Sequence, residues 1–230
     1  LMESSVLIKF NEVVTDKNIN EAYHIIRKNT IHRKKLTVFE MYYLSNIFNI
    51  KNNLYNNTYT HQSYNIFLIQ EPKYRIIMSE KLYDKIINHL ISKFVLKPCI
   101  EKILISSNVA TRENKGTKAA INYIKYYINK LKFHTDNIYI LKCDISKYFF
   151  NIDHNILYEM VNKFNIDTKL KLIIKNIIDS TDNVDSNKDI NIIINHEKER
   201  ILKKNIDCTN VLKELERLPR YYKGKGLPIG

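Results

Sequence analysis

The chain has 230 residues, 44% of them hydrophobic, enough to bury one large domain or two small ones. Lys and Arg number 37 against 24 Asp and Glu, a net charge of +13, with much of the excess between Lys73 and Lys132. That balance points to a polyanionic partner. No apolar run nears the ~20 residues of a membrane span and no signal peptide is visible, so the expectation is a cytoplasmic protein without a membrane partner. Cys99, Cys143 and Cys208 are far apart and show no zinc spacing, which fits a reducing compartment. Sixteen Tyr and nine Phe offer faces for stacked bases, or fill the core. Richness in Ile, Asn and Lys matches an AT-rich coding bias, which by itself raises the basic count.

Taken in order, Glu21 to Ile31 and Thr37 to Phe48 carry apolar residues at helical spacing, with a basic turn, His32 to Lys35, between them. Tyr64 to Ile69 is β-favouring, Glu71-Pro72 interrupts, and Lys73 to Ile77 resumes, which predicts a hairpin. Lys73 and Arg75, two apart, share a face; they are either an ordinary exposed strand face or a grip on an anion. Lys81 to Leu96 predicts an amphipathic helix ended by Pro98. Ile105 to Lys118 is a polar, basic loop leading into a helix, Lys118 to Leu131, that Thr117 could cap. A basic loop before a helix N-terminus is a weak phosphate-site signal.

Ile138 to Cys143 predicts a covered central strand, with Cys143 as a small buried hydrophobe. Asp144 follows directly. A carboxylate there is costly unless paired, and a metal ion is an economical partner; the plainer alternative is a carboxylate capping a turn. Asp153 or Asn155 starts a helix running to about Phe164, and Thr168 to Ile178 predicts another. Residues 180–210 read as a polar, variable stretch with a hairpin near Ile190 to Ile194 and a charged helix from Glu197 to Glu216. Three of the four glycines fall in Lys223 to Gly230, where backbone must approach something closely or take positive φ. The fold class expected is α+β.

Four segments in this order resemble bacterial reverse transcriptases. Glu71-Pro72-Lys73-Tyr74-Arg75 resembles the fingers hairpin, and Asp84 in the next helix matches a family aspartate, although Lys85 stands where Arg is usual. Ala110-x-Arg112-x-x-Lys115-Gly116-Thr117 resembles the second fingers block. Leu141 to Leu157 resembles the first palm motif, and Gly226-Leu227-Pro228-Ile229-Gly230 the opening of the next, in a form closest to diversity-generating retroelement enzymes and one from which group II intron and retron enzymes usually differ; the chain as a whole is closest to diversity-generating retroelement and group II intron-like enzymes. The resemblance implies a right-hand polymerase: a helical N-terminal extension over 1–60, fingers over 61–135, palm over 136–180, a variable insertion over 181–222 and the start of the second palm motif at 223–230. The family's aromatic-x-Asp-Asp turn, its third palm motif, and the thumb are absent. Asp182, Asp185 and Asp189 do not replace that turn. The expectation is therefore a fragment, inactive alone, of an RNA-directed DNA polymerase.

By the same resemblance, Asp144 is the catalytic metal ligand, joined by the carbonyl of Ile145, and holds Mg²⁺ or Mn²⁺ for two-metal phosphoryl transfer. Lys73, Arg75 and Arg112 contact the dNTP, and Phe149 stands against its sugar and excludes a 2′-hydroxyl; otherwise Phe149 is a core residue. Lys115, Lys118, Gly226, Leu227, Pro228 and Gly230 line the template. Asp153-His154 reads as structural. The implied partners are an RNA template, a DNA or RNA primer, dNTPs and an accessory protein. The alternative is a non-catalytic nucleic-acid-binding protein with a reverse-transcriptase-like fold, for example in phage defence.

Overall fold

A computed structural model describes residues 6–31, 33–70, 72–134, 137–182, 186–203 and 208–229. After a single turn, α1 (Phe10–Val13), the Thr15 hydroxyl accepts the Asn18 N–H and starts α2 (Asp16–Asn29). This side-chain cap satisfies a donor that the first helical turn leaves open. Ile19, Ala22, Tyr23 and Ile26 form its buried stripe. Next come α3 (Lys34–Met41) and α4 (Tyr43–Tyr55), the latter burying Ile47, Ile50 and Leu54. The helical N-terminal region is thus as the sequence predicts.

The hairpin follows as β1 (Asn65–Gln70) and β2 (Tyr74–Ser79), antiparallel, with Asn65 opposite Ser79 and Gln70 opposite Tyr74. In β2 the alternation is strict: Tyr74, Ile76 and Met78 are buried while Arg75 is exposed. α5 (Leu82–Ile91) packs Ile86, Ile87, Leu90 and Ile91 inward, mainly against α2. Its expected stop at Pro98 does not occur. A π-helical turn, Ser92–Leu96, leads into α6 (Lys97–Ile100), which contains Pro98. The wider π register tolerates a residue that lacks an N–H and crowds the preceding turn.

Two units are distinguished, and each is described by itself: residues 1–97 with 147–230, and residues 98–146. These bounds cut across the fingers and palm ranges expected from sequence. In the second unit, turns lead to α7 (Thr117–Lys132). Gly116, at φ +109°, and not Thr117, occupies its N-cap. Beyond it, residues 137–145 form no strand, and Tyr139, Ile140, Leu141 and Ile145 are exposed. The expected buried strand is therefore corrected, as is the expected burial of Cys143, which is exposed. A strand needs a neighbouring backbone to take its N–H and C=O groups; the only sheet among the described residues is β1-β2.

The first unit resumes with α8 (Tyr148–Asn151) and α9 (His154–Asn162), whose N-cap is Asp153, accepting from the Asn155 and Ile156 amides. Then follow α10 (Thr168–Ile178), a 3₁₀ turn Asp179–Thr181, α11 (Ser186–Leu202) and α12 (Thr209–Glu216). The expected hairpin near Ile190 is instead part of α11. Ile190 and Ile194, four apart, face one side of that helix and pack with Tyr64, Tyr74, Ile76 and Met78, in a core that also takes in Ile201, Leu215, Phe150 and Tyr221. Burying each such Ile contributes about 1.5–3 kcal/mol, so α11 and α12 help to build the core behind the hairpin. The fold is mixed helix and strand, in agreement with the α+β expectation at that level.

Asp84 is fully buried on α5. Its carboxylate accepts the Tyr59 hydroxyl (3.2 Å) and the Gln62 N–H (3.3 Å). Asp84→Ala is expected to cost about 2–4 kcal/mol by urea unfolding, since it strands two donors away from water. Burial, more than any neighbour, raises the Asp84 carboxyl above its ordinary 3.8. The protonated form is therefore favoured in the fold: its stabilisation is fully present below 3.8 and lost as pH rises through the raised value. Asp84→Asn should remove that component of the pH dependence.

Candidate functional site

Three of the segments singled out in the sequence meet in the first unit, joined by backbone hydrogen bonds. The Met78 N–H on β2 donates to the Ile229 carbonyl (2.7 Å), the Leu227 N–H to the Phe149 carbonyl (2.7 Å) and the Gly226 N–H to the Ile152 carbonyl (2.8 Å). The His154 N–H donates to the Gly224 carbonyl (3.0 Å), and Asp153 and Lys225 form an antiparallel bridge. The glycine-rich segment thus lies between the edge of the hairpin and the Phe149–His154 turn.

The local sequence explains this close approach. Gly226 sits at φ +93°, and a Cβ there would lie 2.7 Å from Cδ1 of Tyr221 and 3.3 Å from the Phe150 carbonyl oxygen. Only glycine fits both conditions. Tyr221, buried, packs its ring against Phe150, tilted at 40° with centroids 4.7 Å apart, and donates its hydroxyl to the Leu227 carbonyl. Sequence reasoning did not single out Tyr221; its position shortly before a glycine cluster carries no signal without the contact. Leu227 and Pro228 are half-buried, and Gly230 lies outside the described residues.

Of the aromatic pair, Phe150 enters the core and Phe149 is 45% exposed. Lys73 and Arg75 are both exposed. No ion pair among the described residues engages either. Arg75 lies opposite Ile69 in the register, on the outer hairpin face that also carries exposed Phe67. The hairpin is braced from behind: Tyr74 donates its N–H to Glu214 (2.8 Å) and its hydroxyl to Glu197 (2.9 Å), and Arg200 forks onto Glu197. A cation pair of this kind, rigidly mounted and unneutralised by the described residues, can hold an anion.

The second unit holds the other predicted residues. Arg112 is committed internally: its guanidinium grips Glu101 (2.7 and 3.0 Å) and the carbonyls of Ile105 and Asn108 (both 3.1 Å). It closes the 101–112 loop, and only a single N–H remains for any ligand. Lys115 donates to the Ser106 carbonyl (2.8 Å), while Lys118 is exposed at the start of α7. The unit has eight Lys or Arg against four Asp or Glu, so it retains a positive field for a polyanion.

Asp144 is exposed, and its Oδ1 accepts the Ile145 N–H at 3.0 Å, the turn-capping arrangement. It belongs to no group of three or more metal-ligand side chains among the described residues. One carboxylate and a neighbouring carbonyl suit a share of an Mg²⁺ shell completed by water and substrate phosphates. They do not suffice for a two-ion centre.

Among the described residues no helix is long and apolar enough to cross a membrane. No protein-family model and no curated protein sequence matches the chain.

Proposed function

We propose that this chain is the fingers and part of the palm of an RNA-directed DNA polymerase of the bacterial retroelement kind, which adds dNTPs to a primer on an RNA template. One observation supports this reading above the others. The hairpin, the Phe149–Ile152 turn and the Gly226–Ile229 segment, which resemble separate family motifs, are hydrogen-bonded neighbours in one unit. Motif resemblance alone does not require that adjacency.

In this reading Lys73 and Arg75 receive the triphosphate, supplying fixed positive charge where phosphoryl transfer builds negative charge. Phe149 lies against the sugar and disfavours a 2′-hydroxyl. Gly226, Leu227 and Pro228 line the templating base, joined in the resemblance by Gly230. Lys115 and Lys118 contact template phosphates, which set register without reading sequence; Arg112 shapes its loop and contributes at most one donor. Asp144 and the Ile145 carbonyl take part in holding Mg²⁺ or Mn²⁺, which when bound supplies Lewis-acid stabilisation of the transferring group. The proposed partners remain an RNA template, a DNA or RNA primer and an accessory protein, and the proposed compartment is the cytoplasm.

Primer extension on an RNA template with Mg²⁺ and dNTPs tests the reading, comparing the chain ending at Gly230 with one carrying any further coding sequence to the natural stop codon. Extension by the longer form and salt-sensitive RNA binding by both are expected. In the active form, Lys73→Ala and Arg75→Ala should each raise the KM for dNTP about tenfold, the scale of a lost charge-assisted contact. Tight RNA binding without extension by either form would favour the second reading, a non-catalytic nucleic-acid-binding protein, which the positive field of residues 98–146 also accommodates.

A further inference from the structure

His154, Asp179 and Asp182 come together in the first unit, where the end of α10 meets the start of α9. They place ligand atoms within 4.8 Å of one another. His154 is 3% exposed, and its Nδ1 has no hydrogen-bond partner. That nitrogen faces Asp179 Oδ1 at 3.3 Å and Asp182 Oδ2 at 3.6 Å.

The other face of the ring decides what Nδ1 carries. His154 Nε2 lies 2.7 Å from the Gly226 carbonyl oxygen, which can only accept, so Nε2 bears the proton. In the neutral ring Nδ1 is then a bare lone pair, buried and aimed at two carboxylates. Lys175 pairs with the far oxygen of Asp179, but no hydrogen bond or cation among the described residues reaches the His154 Nδ1 lone pair between the two carboxylates. A proton or a metal ion there would relieve the repulsion of the three donors, and the spacing favours the metal. Tetrahedral bonds of ~2.0–2.2 Å place neighbouring donors ~3.3–3.6 Å apart, which matches the two separations observed.

The surroundings have the form of an outer shell. An Nε2–H held by a backbone carbonyl fixes the ring and its tautomer, as metal-bound histidines require. Thr181 Oγ1 donates to the same Gly226 carbonyl at 2.9 Å. The Gly224 N–H donates to Asp182, 2.9 Å from each carboxylate oxygen, and Lys175 holds Asp179 through Oδ2 at 2.5 Å, leaving Asp179 Oδ1 turned toward His154. The carboxylates are 28% and 20% exposed, so an ion can enter and water can complete its shell.

We propose that His154, Asp179 and Asp182 bind one divalent transition-metal ion of the Zn²⁺ class, which pins the Gly224–Gly226 segment to α9 and α10. One imidazole with two carboxylates suits such an ion better than Mg²⁺, which prefers an all-oxygen octahedron. None of the three ligands is assigned a role in the polymerase reading, so the site stands or falls separately from it.

Titration of the full chain with Co²⁺, a spectroscopic substitute for Zn²⁺, tests the site. One equivalent should saturate an intense tetrahedral d–d absorption without a thiolate charge-transfer band. Asp179→Asn and Asp182→Asn should each weaken binding at least about tenfold. A thiolate band, which would place the ion on the cysteines, overturns the proposal, as does undiminished binding in both variants. Nitrogen NMR of the imidazole in the unmutated protein gives an answer independent of variant folding. Zn²⁺ at one equivalent should shift His154 Nδ1 to the position of a metal-bound nitrogen; a doubly protonated ring that Zn²⁺ leaves unchanged overturns the site and identifies the cation as a proton.

Discussion

Asp144→Asn is expected to lower primer extension by a factor of ~10³ or more, about 4 kcal/mol of transition-state stabilisation, while RNA binding stays within about twofold. Asn preserves the size of the side chain and an oxygen to accept the Ile145 N–H, which Asp144 Oδ1 accepts at 3.0 Å. What it removes is the negative charge, the property that holds a divalent cation. Because Asp144 is exposed, its replacement should change unfolding free energy by no more than about 0.5 kcal/mol. Stability, binding and extension are therefore separable readouts, measured on the active form of the protein. If Asp144 serves only its turn, extension will not fall. If binding collapses together with extension, the residue acts through structure and the metal role is lost.

Gly226→Ala is expected to destabilise the fold by about 2–5 kcal/mol, from overpacking and backbone strain together. The added Cβ would lie 2.7 and 3.0 Å from two carbons of the Tyr221 ring. That ring cannot readily withdraw, being buried against Phe150 and tied through its hydroxyl to the Leu227 carbonyl. Gly224→Ala is the control: its φ of +73° is also left-handed, but nothing lies within 4 Å of the new carbon. It should cost about 1 kcal/mol, from strain alone. Urea unfolding of the two variants distinguishes a contact-limited glycine from a conformational one; equal costs would contradict the packing account. The amides of Gly226 and Leu227 bond to the Ile152 and Phe149 carbonyls, so the same change should also shift Phe149.

The local elements were legible in the sequence where periodicity and caps agree. Thr168–Ile178 appears as predicted because its apolar residues recur at helical spacing; the Asp167 side chain that caps it also accepts the Phe10 N–H, a contact that only the fold supplies. The hairpin was legible for a similar reason: two β-favouring arms flank Glu71-Pro72, and the two-residue period puts Arg75 opposite in sense to Tyr74 and Ile76. The glycine cluster announced a close approach, though not what it approaches.

Elsewhere the same local signals had two readings, and tertiary contact chose between them. Ile190 to Ile194 is as β-favouring as any strand, yet it is helical: a strand would put Ile192 on the same face as Ile190 and Ile194, whereas here those two enter the hairpin core and Ile192 is exposed. Ile138 to Cys143 has strand composition and no described strand partner, and propensity does not replace the hydrogen bonds of a neighbour. Which of Phe149 and Phe150 is exposed depends on Tyr221, and the His154–Asp179–Asp182 cluster on a meeting of α9 with the end of α10. Short-range order follows from the chain's own dihedral and burial preferences. A site made by residues distant in sequence exists only once packing has brought their atoms within reach.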